Sequence, residues 1–152
     1  MGVVGRGVYD MLAGRDDIRA AWVLCRRDLG ELTAQTTYEM QDILDDPAVD
    51  TVVEVMGGLH PAYDFVKACL ENGKSVVTSN KELVAQKGAE LLAIAQANNL
   101  NFLFEASVGG GIPIIRPISQ CLAANDVTEI AGILNGTTNF ILTKMIREQM
   151  KL

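Results

Sequence analysis

The sequence predicts an α/β protein built on a doubly wound parallel sheet, and two observations carry that prediction. Short apolar runs alternate regularly with helical patterns between residues 20 and 106. The apolar runs are continuous and do not alternate with polar residues, which is typical of strands buried on both faces of a parallel sheet. We therefore expect a Rossmann-like arrangement in which helices cover both faces of the sheet and the crossovers are right-handed.

Each predicted element has its own local signal. The continuous apolar runs predict four strands, at 20–25, 51–56, 75–79 and 101–106. The helical patterns between and before them cover 8–18, 37–46, 61–73 and 81–99. Gly14 and Gly73 stand where the first and third of these helices should end, and Pro61 lies in the first turn of the third.

The residues from 112 onward follow a different order. A helix is predicted over 112–125, with Pro113 acceptable in its first turn and Pro117 expected to kink it. The segment 127–135 alternates like a strand with one exposed face. Residues 137–150 begin with threonine and asparagine, which cap helices well, and then continue in a helical pattern. This tail is interpreted as the opening of another domain.

Composition excludes several classes of protein. The formal net charge of −6 gives no basic surface for nucleic acid. No apolar run approaches the length of a membrane span, and the N-terminus lacks a secretory signal pattern. Cys25, Cys69 and Cys121 each fall in an apolar run, so we expect buried, reduced thiols and a cytoplasmic setting. The single histidine excludes a cluster of histidine metal ligands.

The opening MGVVGRGV contains part of a dinucleotide-binding fingerprint. Gly2 and Gly5 can occupy the second and third glycine positions of G-x-G-x-x-G, while the first glycine and its strand are missing. About twenty residues past Gly5, at the fingerprint spacing, a strand ends at Cys25 and is followed by Arg26. An arginine there can accept a 2′-phosphate, so Arg26 favours NADP or dual use over strict NAD, although a solvated loop arginine is nearly as good an interpretation.

The strand ends form the candidate site, because ligands of doubly wound sheets bind beyond the carboxyl ends of the strands. The two glycines at 57–58 either allow a ligand to approach the backbone closely or simply form a turn. Ser79 and Asn80 can cap the next helix. Lys81 then lies in the first helical turn, where the dipole disfavours a cation, and this suggests an anionic or carbonyl ligand nearby.

A triple glycine follows the last predicted strand, in EASVGGGIPII. Such a loop can aim several carbonyl oxygens at one point, which together with Glu105 would suit a hard cation. It can equally present amides to an anion at a helix N-terminus, or act as a hinge between domains. Glu54, inside an apolar strand, is either a buried carboxylate with partners or points into the cleft, and His60 is interpreted as a loop residue without a catalytic role.

Four blocks, EVMGG, VVTSNKELVA, FEASVGGGIPIIRP and GILNGTTNFILTKM, resemble those of the homoserine dehydrogenase family in order and spacing, and GVVGRGV resembles the end of its nucleotide fingerprint. The resemblance implies hydride transfer between L-homoserine and L-aspartate 4-semialdehyde with NAD or NADP, on the route to threonine, methionine and isoleucine. It also implies an NAD(P)-binding domain at 1–111, the start of a substrate and dimerisation domain at 112–152, and a homo-oligomer.

The resemblance further implies the roles of individual residues. Lys81 would lie near the reacting carbon as a catalytic residue. Val3, Val4 and Gly5 would contact the phosphates of the cofactor. Arg26 would contact its adenosine ribose. Met56, Ser79 and Lys81 would contact its nicotinamide side. A sodium ion would be held by Glu105 and by the backbone carbonyls of Val108, Gly110 and Ile112.

Two departures from the family pattern shape the expectation for this chain. The first strand of the fingerprint is absent, and the aspartate and lysine that assist proton transfer in the family lie beyond the matched segment. We therefore expect an incomplete, poorly active and weakly stable piece of the enzyme. The alternatives are another NAD(P)-dependent dehydrogenase of small aldehydes, which would leave NGTTN unexplained, and a nucleotide-binding module without catalysis.

Overall fold

A computed structural model describes residues 1–30, 32–132 and 135–149. The chain divides into two compact units, Met1–Pro113 and Ile114–Leu152. The division falls close to the expected boundary between residues 111 and 112, whose functional assignment stays a prediction. Within the part of the chain that the structure describes, no helix has the length and apolar character needed to cross a membrane.

The first unit consists of strands and helices that alternate as predicted except near its start, where two strands follow one another and the helix predicted over 8–18 forms at Val3–Leu12. Its helices are α1 (Val3–Leu12), α2 (Met40–Asp45), α3 (Ala62–Glu71) and α4 (Lys81–Ala97). Its strands are β1 (Trp22–Leu24), β2 (Gln35–Thr37), β3 (Thr51–Glu54), β4 (Ser75–Thr78) and β5 (Phe102–Leu103), and a 3₁₀ turn follows at Glu105–Ser107. The strand β2 was not predicted, because its sequence, QTT, is polar and carries no apolar run.

The strands are all parallel and form two sheets. One sheet pairs β1 with β2, and the other has the order β3-β4-β5. In the larger sheet the last residues of β3 and β4, Glu54 and Thr78, are register partners. The carboxyl ends of these two strands therefore lie side by side, at the edge where an α/β sheet binds its ligands.

The core lies between the larger sheet and the helices α3 and α4. In α3 the buried positions are Ala62, Val66, Cys69 and Leu70, an i, i+4, i+7, i+8 pattern that places them on one face. They pack with residues of β4, α4 and β5, namely Val76, Leu83, Leu91, Ala95 and Phe102. Burial of one such leucine contributes about 1.5–3 kcal/mol, so this face holds α3 and α4 on the sheet and fixes where α4 begins.

The second unit contains the predicted final helix, α5 (Gly136–Glu148), which is capped by the side chain of Asn135 accepting from Thr138 N–H at 2.8 Å. The helix predicted over 112–125 is reduced to a short helical segment with a π-helical turn at Pro117–Cys121. Proline has no N–H to donate to the preceding turn, which accounts for the irregularity there.

Two expectations for the second unit are wrong. The strand predicted at 127–135 does not form over 127–132, and residues 133–134 of that prediction lie outside the described residues. An alternating pattern needs a neighbouring strand, and the described residues of this unit supply none. Cys121 was expected to be buried but is exposed, whereas Cys25 and Cys69 are buried as predicted.

Candidate functional site

The candidate site is the edge of the sheet where β3 and β4 end. The loop 55–58 follows β3, and the loop 79–80 follows β4 and leads into α4. Ser79 N–H donates to the carbonyl oxygen of Glu54 at 3.4 Å, so the two loops start side by side. Lys81, the first residue of α4, is exposed, as a residue that meets a ligand must be.

The side chain of Glu54 is buried and fully engaged, which decides between the two interpretations of this residue. Its Oε1 accepts from the N–H groups of Met56 at 2.7 Å and Gly57 at 3.3 Å, and its Oε2 accepts from the Thr78 hydroxyl at 2.5 Å. A carboxylate with three donors is a stable buried acceptor. Glu54 therefore organises the loop behind the cleft.

Asn80 caps α4, as its position in the sequence suggested. Its Oδ1 accepts from Leu83 N–H at 3.2 Å, and its Nδ2 donates to the carbonyl oxygen of Gly58 at 2.6 Å. The cap therefore does more than satisfy the helix terminus, because it also ties the start of α4 to the loop after β3. That second bond was not visible in the sequence.

The first turn of α1 approaches the same edge. A Cβ built on Gly5 would lie 3.2 Å from Cγ2 of Val55, the first residue after β3, and 3.1 Å from Cγ of Met1. Glycine at this place allows close packing of helix against strand, the part that the third glycine of a dinucleotide fingerprint plays. A Cβ on Gly2 would meet nothing within 4 Å, so the backbone there is open to a ligand.

The predicted cofactor residues Val3, Val4 and Gly5 therefore form the N-terminal turn of a helix, beside the end of β3. Helix N-termini carry free N–H groups and a positive partial charge that favour phosphate. Val3 is 92% exposed and Val4 is 54% exposed, so this turn is accessible. Met56, 40% exposed, follows Val55 directly, and the contact of Val55 with Gly5 brings the two groups of predicted residues to one edge.

A cavity of about 670 Å³ runs along the start of α1 towards the segment after β1. Gly2, Val3 and Arg6 line it from the α1 side, and Arg27 and Leu29 line it from the other. An arginine just past β1 was predicted near the adenosine ribose, and of the two arginines there it is Arg27 that lines this cavity.

Arg26, the residue named from the sequence, is exposed and lies outside that lining. The chain bends at residues 26 and 27, directly after β1, so the direction of each arginine side chain follows from this bend and not from strand alternation. The two adjacent arginines in CRRD were the sequence signal from which Arg27 could have been named as a second candidate for the ribose contact. A further cavity, of about 420 Å³, lies at the opposite ends of β1 and β2, where Ala21 and Gln35 line it.

The glycine loop after β5 is the place where the sodium ligands were predicted. Gly109 and Gly110 have φ values of 72° and 61°, in the left-handed region that favours glycine. Two turns in the loop use the carbonyl oxygens of Glu105 and Gly109 as acceptors, from Val108 N–H at 3.2 Å and Ile112 N–H at 3.1 Å. The predicted sodium ligands are other oxygens, those of the Glu105 carboxylate and of the Val108, Gly110 and Ile112 carbonyls.

The chemistry of that donor set fits a hard, weakly charged cation. Residues 1–30, 32–132 and 135–149 contain no cluster of three or more His, Cys, Asp or Glu side chains that could hold a metal ion. His60, which was given no catalytic role, lies on the surface with its Nδ1 at 2.9 Å from Asp64 Oδ2.

The chain was compared with known families and proteins. A family described as "Homoserine dehydrogenase, NAD binding domain" matches residues 1–105, and one described as "Homoserine dehydrogenase" matches residues 113–152. The homoserine dehydrogenase of Bacillus subtilis is 40% identical over 98% of this chain. This chain spans 38% of the length of that relative.

Two solved structures extend the comparison. The crystal structure of a homoserine dehydrogenase from Thiobacillus denitrificans superposes with a TM-score of 0.86 and 41% identity, covering 95% of this chain and 37% of that one. A hyperthermophilic archaeal homoserine dehydrogenase in complex with NADPH gives a TM-score of 0.69 and 32% identity, covering 82% of this chain and 38% of that one. The parallel α/β arrangement of this chain is thus that of solved proteins.

Proposed function

The chain belongs to the homoserine dehydrogenase family, and we propose that it forms most of the cofactor-binding part of an enzyme that interconverts L-homoserine and L-aspartate 4-semialdehyde. The reaction would serve the synthesis of threonine, methionine and isoleucine. One observation carries the proposal: the packing of Gly5 on Val55 sets the fingerprint helix beside the strand ends from which Met56, Ser79 and Lys81 follow.

The proposed cofactor is NADP or NAD. The N-terminal turn of α1 would receive the phosphates through the backbone N–H groups of Val3, Val4 and Gly5. The arginines after β1, Arg26 and Arg27, would lie on the ribose side, and a guanidinium there favours a 2′-phosphate. The archaeal relative in complex with NADPH supports the choice of NADP.

When bound, the nicotinamide donates or accepts the hydride. The proposed part of this chain is positioning. Met56 and Ser79 would contact the nicotinamide side, and the Lys81 ammonium would orient the substrate oxygen next to the reacting carbon. We further propose that Glu105, Val108, Gly110 and Ile112 hold a sodium ion that fixes the glycine loop, and that residues 112–152 begin the part of the enzyme that binds substrate and forms a homo-oligomer.

The test uses a hybrid enzyme in which residues 1–152 replace the matching segment of the Bacillus subtilis relative, with homoserine oxidation followed by absorbance of the reduced cofactor. Lys81→Ala should lower kcat by about 10²-fold, the cost of losing orientation at the reacting atoms, while cofactor affinity changes little. The matched control is Lys87→Ala on the same helix, whose ammonium pairs with Glu90 at 3.1 Å. Equal kcat values for the two variants would reject the role of Lys81, and a folded hybrid that binds no nicotinamide nucleotide would contradict the proposed function.

A further inference from the structure

The ends of β3 and β4 carry three polar side chains that are almost completely buried. Glu54 is 4% exposed, Thr78 is 1% exposed and Asn80 is 5% exposed. Burial of a carboxylate, a hydroxyl and an amide is costly unless each finds partners, and in the described part of the chain no buried side-chain nitrogen or oxygen lacks one. An apolar side chain at any of these positions would avoid the free-energy cost of burying a polar group.

Their hydrogen bonds form a closed ring with the backbone of the loop 56–58, behind the candidate site. Glu54 accepts from Met56 and Gly57 N–H groups and from the Thr78 hydroxyl. The Thr78 hydroxyl in turn accepts from Asn80 N–H at 3.0 Å. Asn80 closes the ring by donating its amide to the carbonyl oxygen of Gly58 at 2.6 Å, the residue that follows Gly57.

The loop inside this ring has an unusual backbone that needs such support. Gly57 and Gly58 have φ values of 77° and 76°, so two consecutive residues lie in the left-handed region. Glycine permits this conformation but also loses the most entropy when it is fixed. The bonds from Glu54 and Asn80 reach the loop from both ends and hold it in one conformation.

We propose that Glu54, Thr78 and Asn80 are positioning residues that hold the loop with Met56 and the first turn of α4 with Lys81 as one unit against the nicotinamide half of the cofactor. The inference rests on the proposed function, since it assumes that these two loops face the nicotinamide. None of the three side chains is assigned contact with the reacting atoms. Their effect passes through the backbone that carries Met56, Ser79 and Lys81.

The donor and acceptor roles within the ring predict which substitutions preserve its hydrogen bonds. Glu54 acts only as an acceptor, and the Thr78 hydroxyl donates to it while accepting from Asn80. Glutamine at position 54 could close the ring only by donating its N–H₂ group to Thr78 Oγ1, and the buried Thr78 O–H group would then lose its acceptor. Serine at position 78 retains the hydroxyl, whereas valine retains the shape and removes it. Thr78→Ser should therefore preserve the ring and Thr78→Val should open it.

The experiment measures two affinities in the 152-residue chain, by titration calorimetry with NADPH and with 2′-phospho-ADP-ribose, the same nucleotide without nicotinamide. Glu54→Gln and Thr78→Val should each weaken NADPH binding about tenfold and change the affinity for the analogue by less than about twofold. Thr78→Ser should bind both ligands as the unsubstituted chain does. The matched control is Glu39→Gln, which makes the same change of charge at an exposed carboxylate.

Each outcome decides the matter. Selective loss of NADPH binding in Glu54→Gln and Thr78→Val supports a positioning role, and thermal unfolding of every variant shows that the titrated protein is folded. Equal weakening of both ligands, or no weakening, overturns the inference while leaving the proposed function standing. If the unsubstituted chain binds NADPH no more tightly than the analogue, the loops do not meet the nicotinamide and the inference fails. If the unsubstituted chain binds neither NADPH nor the analogue, the proposed function is rejected, and the inference that rests on it is rejected with it.

Discussion

Replacement of Gly5 by alanine tests whether α1 is packed as closely on β3 as the fingerprint requires. The added Cβ would lie 3.1 Å from Met1 Cγ and 3.2 Å from Val55 Cγ2, whereas carbon atoms prefer separations of about 3.5–4.0 Å. The Met1 contact is with a long, unbranched side chain, which can move aside. Val55 directly follows β3, so relief there requires the helix or the strand end to shift.

The magnitude follows from two opposing effects. Alanine in place of glycine within a helix favours the folded state by about 0.8–1.0 kcal/mol. Overpacking by one methyl group costs about 1–3 kcal/mol, so Gly5→Ala should leave the chain between unchanged and about 2 kcal/mol less stable. The same exchange at Gly88 in α4 is a matched control, because its Cβ would lie 3.4 Å from Val84 Cγ1, in ordinary contact.

The assay is urea unfolding followed by circular dichroism, combined with NADPH titration of both variants. Gly88→Ala should be stabilised and should bind NADPH normally. Gly5→Ala should fall about 1–3 kcal/mol below it in free energy of unfolding and should bind NADPH more weakly, because the phosphate-binding turn has moved. Equal gains in stability with unchanged affinity for NADPH in both variants would refute the close packing of Gly5 on Val55.

Two further predictions concern groups outside the site. Trp22 Nε1–H donates to Asp46 Oδ2 at 2.7 Å and lowers the pKa of that carboxyl below its ordinary value of 3.8. A lowered folded-state pKa contributes stability that is present above the unfolded value and is lost as the pH falls through the folded value. Trp22→Phe should therefore destabilise the chain more at neutral pH than below pH 3.8, as measured by urea unfolding, and a deficit independent of pH would contradict this account. Cys121 is exposed, whereas burial raises the pKa of the Cys69 thiol to about 11, so a thiol reagent should label Cys121 quickly and Cys69 only on unfolding, as mass spectrometry of the digested chain would show.

The sequence predicted the fold where apolar patterning decides it. The strands β1, β3, β4 and β5 lie in the predicted apolar runs. The expected burial of the strands on both faces is not observed, since Val53 is 41% exposed and Leu103 is 53% exposed. The strand β2 was missed since it is short and polar and owes its existence to pairing with β1. The strand predicted over 127–135 was wrong because strand formation needs a pairing partner. The described residues of the second unit offer no neighbouring strand for it.

The site was predictable in its location and less so in its internal bonding. Strand ends can be counted along the chain, so Lys81 and the Gly57–Gly58 turn could be named in advance. The partners of Glu54 depend on a register between β3 and β4 and on two loop conformations, which a single sequence does not specify. The choice between Arg26 and Arg27 likewise depends on how the chain bends after β1, which a single sequence does not specify.

The measurement that tests the central claim most directly is amide hydrogen exchange of the chain with and without NADPH, read by mass spectrometry. Segments 1–6, 55–58 and 79–83 belong to three different parts of the chain that meet at this edge of the sheet. NADPH should slow exchange in all three together and leave the opposite ends of the strands unchanged. Protection confined to segments away from this edge, or slower exchange in segment 1–6 alone, would contradict a nicotinamide cofactor held between the fingerprint helix and the ends of β3 and β4.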